Sequence, residues 1–245
     1  MMSKWVQESV NGWTLHLLLP PSYTEGDRHY PVVYIQDGGA VAKACSNLLD
    51  HSFRSEKLPE LILVGIEPHN RNDDYTPWPV PALHASFSAF GGQGSIYLQA
   101  ITEQLKPYVD SSYRTLADSE NTGILGCSLG GLISLFAAME FPHIFGKVGA
   151  LSASMWYEGF LDYMSDYSWA ERRGLKLYMY VGSLEGVYKA NAQAQMLENT
   201  RSACRMILAQ GYPAERLNYV EEEGGTHDLL FFAKHLPEAL TWLFQ

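Results

Sequence analysis

Ile124-Leu125-Gly126-Cys127-Ser128-Leu129-Gly130-Gly131-Leu132-Ile133 joins a short apolar run to a segment with helical spacing, and its middle reads Gly-x-Ser-x-Gly. A strand that turns this sharply into a helix forces the central residue into strained dihedrals. Small residues two before and two after it keep the crossing backbones apart. Ser128 would then stand at the end of a strand, facing a helix N-terminus whose free N–H groups favour developing negative charge. The five-residue pattern alone recurs by chance; between a buried strand and a helix it marks a nucleophile. Cys127, at the x position, should point away from the cleft and reads as a buried structural thiol.

Similar apolar runs lie on both sides of this one. Residues 31–36 empty into Asp37-Gly38-Gly39, residues 61–66 form another run, and 147–152, 175–182 and 217–221 follow the serine. Between them, helical spacing covers 41–51, 96–108, 129–141, 190–210 and 229–244. At the start, residues 4–9 and 13–19 flank Asn11-Gly12 and read as a hairpin. Short buried strands alternating with amphipathic helices imply a mostly parallel central sheet with helices on both faces. The antiparallel start followed by this alternation fits the α/β-hydrolase plan. The expected fold is one α/β domain over 1–245, without a large separate cap domain. Residues 67–94, with Pro68, Pro77, Pro79, Pro81 and three glycines, resist regular structure. Their Arg71, Tyr75 and Trp78 point to a substrate-lining loop.

Composition bounds the partners. The 245 residues are 47% hydrophobic and 18% charged, enough for one substantial core and ordinary for a globular chain. The formal net charge of −10 gives no general attraction to nucleic acid or to an anionic membrane. Three scattered cysteines suggest neither disulfides nor a metal site, and His51, His69 and His84 lack ligand spacing. No cofactor or metal is expected. No apolar run approaches the roughly 18 residues of a spanning helix. The first residues lack the apolar core of a secretory leader, so the chain reads as reduced and cytoplasmic.

A serine nucleophile needs a base. In the Ser–acid–His order of this plan the base follows Ser128, which leaves His143, His227 and His235. His143 falls at the end of the nucleophile helix and His235 within the last helix. His227, in Gly224-Gly225-Thr226-His227-Asp228, sits on a turn that can reach the serine. The acid should follow the penultimate strand, where Ser183-Leu184-Glu185-Gly186 offers Glu185. Asp162, Asp166 and Asp228 are poorer candidates, and a site without a coupled acid is the alternative. Two backbone donors should hold the oxyanion: the N–H of Leu129 and that of Gly39, with Gly38 close by.

The chain resembles the putative esterases of the esterase D type, in particular ferric-siderophore (enterochelin-type) esterases and their cytoplasmic bacterial relatives. The marks are Tyr34-Ile35-Gln36-Asp37-Gly38, Gly65-Ile66, Arg71-Asn72-Asp73-Asp74-Tyr75-Thr76-Pro77, Glu103-Gln104-Leu105-Lys106-Pro107, Tyr113-Arg114-Thr115, the nucleophile turn, Ser152-Ala153-Ser154-Met155-Trp156, and Gly224 to Asp228. The block from Arg71 to Pro77 is the most particular. The resemblance implies Ser128 and His227 as the catalytic pair, and Gly39 with Leu129 as oxyanion donors. It further implies Arg71 as a contact for an anionic or catecholate substrate, and Trp156 as an aromatic wall. The implied substrate is a small-molecule ester, such as the trilactone of a catecholate siderophore. Two alternatives stand beside it: a general carboxylesterase or thioesterase (feruloyl-type or formylglutathione-type), and a binding protein that kept the fold without the chemistry.

Overall fold

The computed structural model describes residues 5–245. Eight strands form the central sheet: β1 (Trp5–Val10), β2 (Trp13–Leu18), β3 (Val32–Ile35), β4 (Ile62–Ile66), β5 (Thr122–Cys127), β6 (Lys147–Leu151), β7 (Lys176–Gly182) and β8 (Leu217–Glu222). Their spatial order is β1-β2-β4-β3-β5-β6-β7-β8. β1 and β2 pair antiparallel, as do β2 and β4, and every later pair is parallel. Asn11 (φ 50°) and Gly12 (φ 87°) make the β1–β2 turn, because a two-residue hairpin needs positive φ at both positions. This hairpin was expected to begin at Lys4, which lies outside the described residues.

Alternation along each strand sends side chains to two cores. Val32, Tyr34 and Ile124 enter one, packed under α3 (Gly94–Ala100), α4 (Lys106–Ser112), α5 (Leu129–Glu140), α6 (Phe160–Ser165) and α7 (Met196–Ala209). Val33, Ile35 and Leu125 enter the other, under α1 (Ala40–Ala44), α2 (Ser46–Arg54) and α8 (Leu229–Phe244). Helices on both faces of a mostly parallel sheet make this an α/β-hydrolase fold. No second body of structure caps it among the described residues, and none of their helices is long and apolar enough to cross a membrane.

Four details differ from the sequence reading. The helix expected over 41–51 breaks at Cys45 (φ −121°, ψ 26°) into α1 and α2. The helix expected from residue 190 begins only at Met196, because Asn191 accepts the amide of Gln193 through its side chain and holds a turn there. Residues 67–94 are not wholly irregular: Asn70 caps a helical turn at Arg71–Asp74, and Pro79–Val80 pairs with Phe90–Gly91. Finally, α6 had no counterpart in the sequence reading. The parallel strands all point their C-terminal ends at one edge, and chain order reverses between β3 and β5. That crevice is where open α/β sheets place their ligands.

Candidate active site

Ser128 leaves β5 with φ 58° and ψ −124°, a conformation few L-residues adopt, and Leu129 opens α5. The glycines on either side are required by packing. A Cβ on Gly126 would lie 2.4 Å from the backbone of Gly130, and one on Gly130 would lie 2.9 Å from the Gln36 side chain. The Ser128 amide donates to the Leu151 carbonyl at 3.0 Å, and its own carbonyl accepts from Ser154 at 3.0 Å. These bonds tie the turn to the end of β6. The Ser128 hydroxyl is half-buried and lies 3.4 Å from the Ser154 hydroxyl.

Glu185 follows β7 and its side chain is fully buried. One carboxylate oxygen accepts from the Gly182 amide at 2.9 Å and from the Ser152 hydroxyl at 2.5 Å. The other lies 2.8 Å from Nδ1 of His227. A desolvated carboxylate needs such partners, and three are supplied. The turns carrying acid and base are laced together: Ser183 and Gly225 donate to the Glu222 carbonyl, and Leu184 donates to the Gly225 carbonyl. Gly182 and Gly225 sit so close that a Cβ on Gly182 would lie 2.4 Å from Gly225.

The His227 ring meets Phe232 edge-on at 5.1 Å between centroids. Phe232 in turn walls a cavity of about 220 Å³ that also holds Ser128, Gln36, Asp37 and Arg71. Phe232 thus stands between the His227 ring and the Ser128 cavity, and no hydrogen bond joins His227 to Ser128 among the described residues. Contacts of this kind commonly tighten only in the substrate complex. A second cavity, about 180 Å³, lies beside His227 and is lined by Trp156, Glu185, Gly186, Lys189, Gln193 and Met196.

Other expected residues lie elsewhere. The Gly39 amide is committed to the Gln36 carbonyl at 3.1 Å, so it is no free oxyanion donor. The three-residue turn closes on itself, packed against Gly65 and Trp5. In the same turn Asp37 donates its amide to the Tyr75 hydroxyl at 2.7 Å, and the Gly38 amide has no acceptor among the described residues. Leu129, first in its helix, has no acceptor one turn back. Tyr75 is fully buried, with a hydroxyl that burial holds well above its ordinary pKa, and it does not line the site. Trp78 packs on Tyr157, Phe160 and Tyr163 and donates to the Glu158 carbonyl, which places it outside both cavities.

Arg71 does reach the Ser128 cavity, but its guanidinium is forked onto Asp37 at 2.7 and 3.2 Å and touches the Cys127 carbonyl at 3.3 Å. Burial by itself would lower the Arg71 pKa; the Asp37 pair outweighs it and the net direction is up. The Cys127 thiol is raised, chiefly by burial and further by Asp37. His235 is buried against Glu222 at 2.8 Å, His143 is exposed, and Asp228 caps α8 by accepting the Leu230 amide. Sequence reading missed Asp37 as the arginine's partner, Ser152 and Ser154 as the braces between serine and acid, and Phe232. Only the two serines carried a signal, through their place directly after β6. Among the described residues no group of three or more His, Cys, Asp and Glu is placed to hold a metal ion.

Comparison with known proteins places this geometry in context. The family described as "Putative esterase" matches residues 11–243. An uncharacterised protein of Bacillus subtilis, YbbA, is 38% identical over 228 residues, which span 93% of this chain and 91% of that protein. Among solved structures, an IroE-like serine hydrolase from Shewanella oneidensis superposes with a TM-score of 0.82 at 20% identity, covering 98% of this chain and 80% of the other. The enterobactin esterase FES from Shigella flexneri, solved with enterobactin present, gives 0.78 at 18% identity. It covers 100% of this chain but 59% of its own.

Proposed function

The chain belongs to the "Putative esterase" family, and on that premise we propose that it hydrolyses a carboxylic ester through an acyl-serine intermediate on Ser128. The supporting observation is the buried Glu185 carboxylate paired with the exposed His227 ring, at the same sheet edge as a serine held in a strained strand–helix turn. In this mechanism the Ser128 oxygen attacks the ester carbonyl as its proton passes to Nε2 of His227. Glu185 holds Nδ1–H and stabilises the imidazolium. The oxyanion is met by the Leu129 amide and, in place of Gly39, by the Gly38 amide; each such donor is worth about 3 kcal/mol. Collapse breaks the bond to the alcohol oxygen, which takes the proton back from His227. Water repeats the sequence on the acyl-serine, releasing the acid and restoring the serine.

For the substrate, we propose the trilactone of a catecholate siderophore, whose cleavage would loosen its hold on iron. The likeness to an enterobactin esterase supports this reading. So does Arg71, whose Nη1 hydrogens have no acceptor among the described residues and stand free for an anionic ring. Trp156 would supply an aromatic wall. A second reading, a smaller aryl or alkyl ester, is favoured by cavity size. At about 220 and 180 Å³ each cavity suits a single ring, below the roughly 300 Å³ where drug-sized pockets begin. Hydrolysis of p-nitrophenyl butyrate and of a trilactone siderophore, with and without iron, in wild type and Ser128→Ala tests both. Trilactone cleavage lost in the variant supports the first reading, and cleavage of the simple ester alone moves the substrate to the second. Absence of Ser128-dependent turnover overturns the mechanism.

A further inference from the structure

The cavity beside His227 has both apolar and polar lining. Trp156 and Met196 form its apolar walls and are both buried, while Gln193 and Lys189 border it from the loop between β7 and α7. The loop is held by contacts that allow little rearrangement. Gly186 has φ 80°, and a Cβ there would lie 2.3 Å from the Gln193 carbonyl. Lys189 donates its amide to the Gly186 carbonyl at 2.9 Å, and Asn199 donates to the Met155 carbonyl at 3.0 Å, fixing the segment that carries Trp156.

The charges on the two sides of the catalytic pair differ. On the Ser128 side the cation, Arg71, is matched by Asp37. On the His227 side the only carboxylate lining the cavity, Glu185, is taken up by Gly182, Ser152 and His227. Lys189 is exposed and has no ion-pair partner among the described residues, in a chain of net charge −10 that offers acidic partners freely. Lys189 therefore brings to this cavity's lining a positive charge that no ion pair answers among the described residues.

Acyl transfer assigns the two sides. The leaving oxygen must lie within reach of the histidine that protonates it, so the alcohol half of the ester lies toward His227 and the acyl half toward Arg71. We propose that the His227 cavity is the leaving-group subsite and that Lys189 makes it selective for alcohols bearing a carboxylate, an inference that rests on the serine-esterase reading. Hydroxy-acid esters have this character. In a lactone oligomer already opened once, the terminal unit is both the alcohol of an ester and the bearer of a free carboxylate. The subsite thus suits the opened chain better than the intact ring.

The test compares 4-acetoxybenzoate with its neutral methyl ester, each rate corrected for alkaline reactivity, in wild type and Lys189→Met. Binding of 4-hydroxybenzoate, followed by tryptophan fluorescence, is measured on the same proteins. Lys189→Met should lower kcat/KM for the anionic ester and weaken 4-hydroxybenzoate binding by about two- to fivefold, the range of a partly solvated ion pair. The neutral ester should change by less than the anionic one, and the difference should shrink as salt rises. Equal effects on both esters, or unchanged 4-hydroxybenzoate binding, overturn the subsite. If neither ester is hydrolysed, 4-hydroxybenzoate binding alone decides on Lys189, and the esterase reading stands or falls on Ser128-dependent turnover of the trilactone and of p-nitrophenyl butyrate.

Discussion

Replacing Glu185 with glutamine should disable the site while leaving the fold nearly intact, and the structure says which way the amide will turn. One carboxylate oxygen takes two donors, the Gly182 amide and the Ser152 hydroxyl; the other meets only Nδ1 of His227. The glutamine carbonyl will keep the two donors, since turning an NH2 onto the backbone N–H of Gly182 would leave two buried donors facing each other. The new NH2 then faces Nδ1 and forces the imidazole to accept there. The ring proton moves to Nε2, the atom that must receive the serine proton. In a triad of known mechanism the equivalent carboxylate-to-amide change lowers kcat about 10⁴-fold, or about 5 kcal/mol in the barrier. KM for p-nitrophenyl butyrate should change little. Because two of the three hydrogen bonds persist, thermal stability should fall by no more than about 2 kcal/mol. Steady-state kinetics with a parallel thermal melt make the measurement. A kcat within tenfold of wild type, from a protein that melts normally, would refute the coupling between acid and base.

Two further outcomes follow from packing and linkage. Gly126→Ala would place a methyl group 2.4 Å from the Gly130 backbone and 2.7 Å from the Gln36 side chain. Strain of about 1–3 kcal/mol should lower Tm by about 3–10 °C and abolish Ser128 labelling, whereas an unchanged melt would show that the turn can relax. Glu222 has its pKa lowered, first by its hydrogen bond to Lys234 and then through His235. Its folded pKa lies below the unfolded value near 4.5, so its contribution is full above that pH and is lost as pH falls through the folded pKa. Denaturant melts between pH 3 and 6 (the window about that value) should show a shallower acid decline for Glu222→Gln than for wild type. Parallel declines would contradict the linkage.

Much of this architecture could be read from residue pattern. The apolar runs ending at Gln36, Cys127 and Gly182 are short because each strand is buried on both faces, and Asn11-Gly12 specifies its own turn. Ser128 was legible because the glycines around it answer to a backbone requirement that few other sequences satisfy. Glu185 and His227 were legible by topology, as residues following adjacent parallel strands. What could not be read were long-range pairings. Nothing local in Asp37 or Arg71 says that they bind each other across 34 residues, nor that Tyr75 is drawn into the core to meet the Asp37 amide. The commitment of the Gly39 amide to Gln36 could not be read for a geometric reason: the direction of its N–H depends on the dihedrals of a turn with three successive positive φ values. The start of α7 was misplaced because the side chain of Asn191 competes for a backbone amide.

The proposed nucleophile can be tested most directly by treating the protein with a fluorophosphonate and locating the adduct by peptide mass spectrometry. One adduct per chain is expected on the peptide carrying Ser128, absent in Ser128→Ala and greatly slowed in His227→Ala. An unmodified Ser128 in a folded, reagent-accessible protein, or an adduct that persists in Ser128→Ala, would contradict the account.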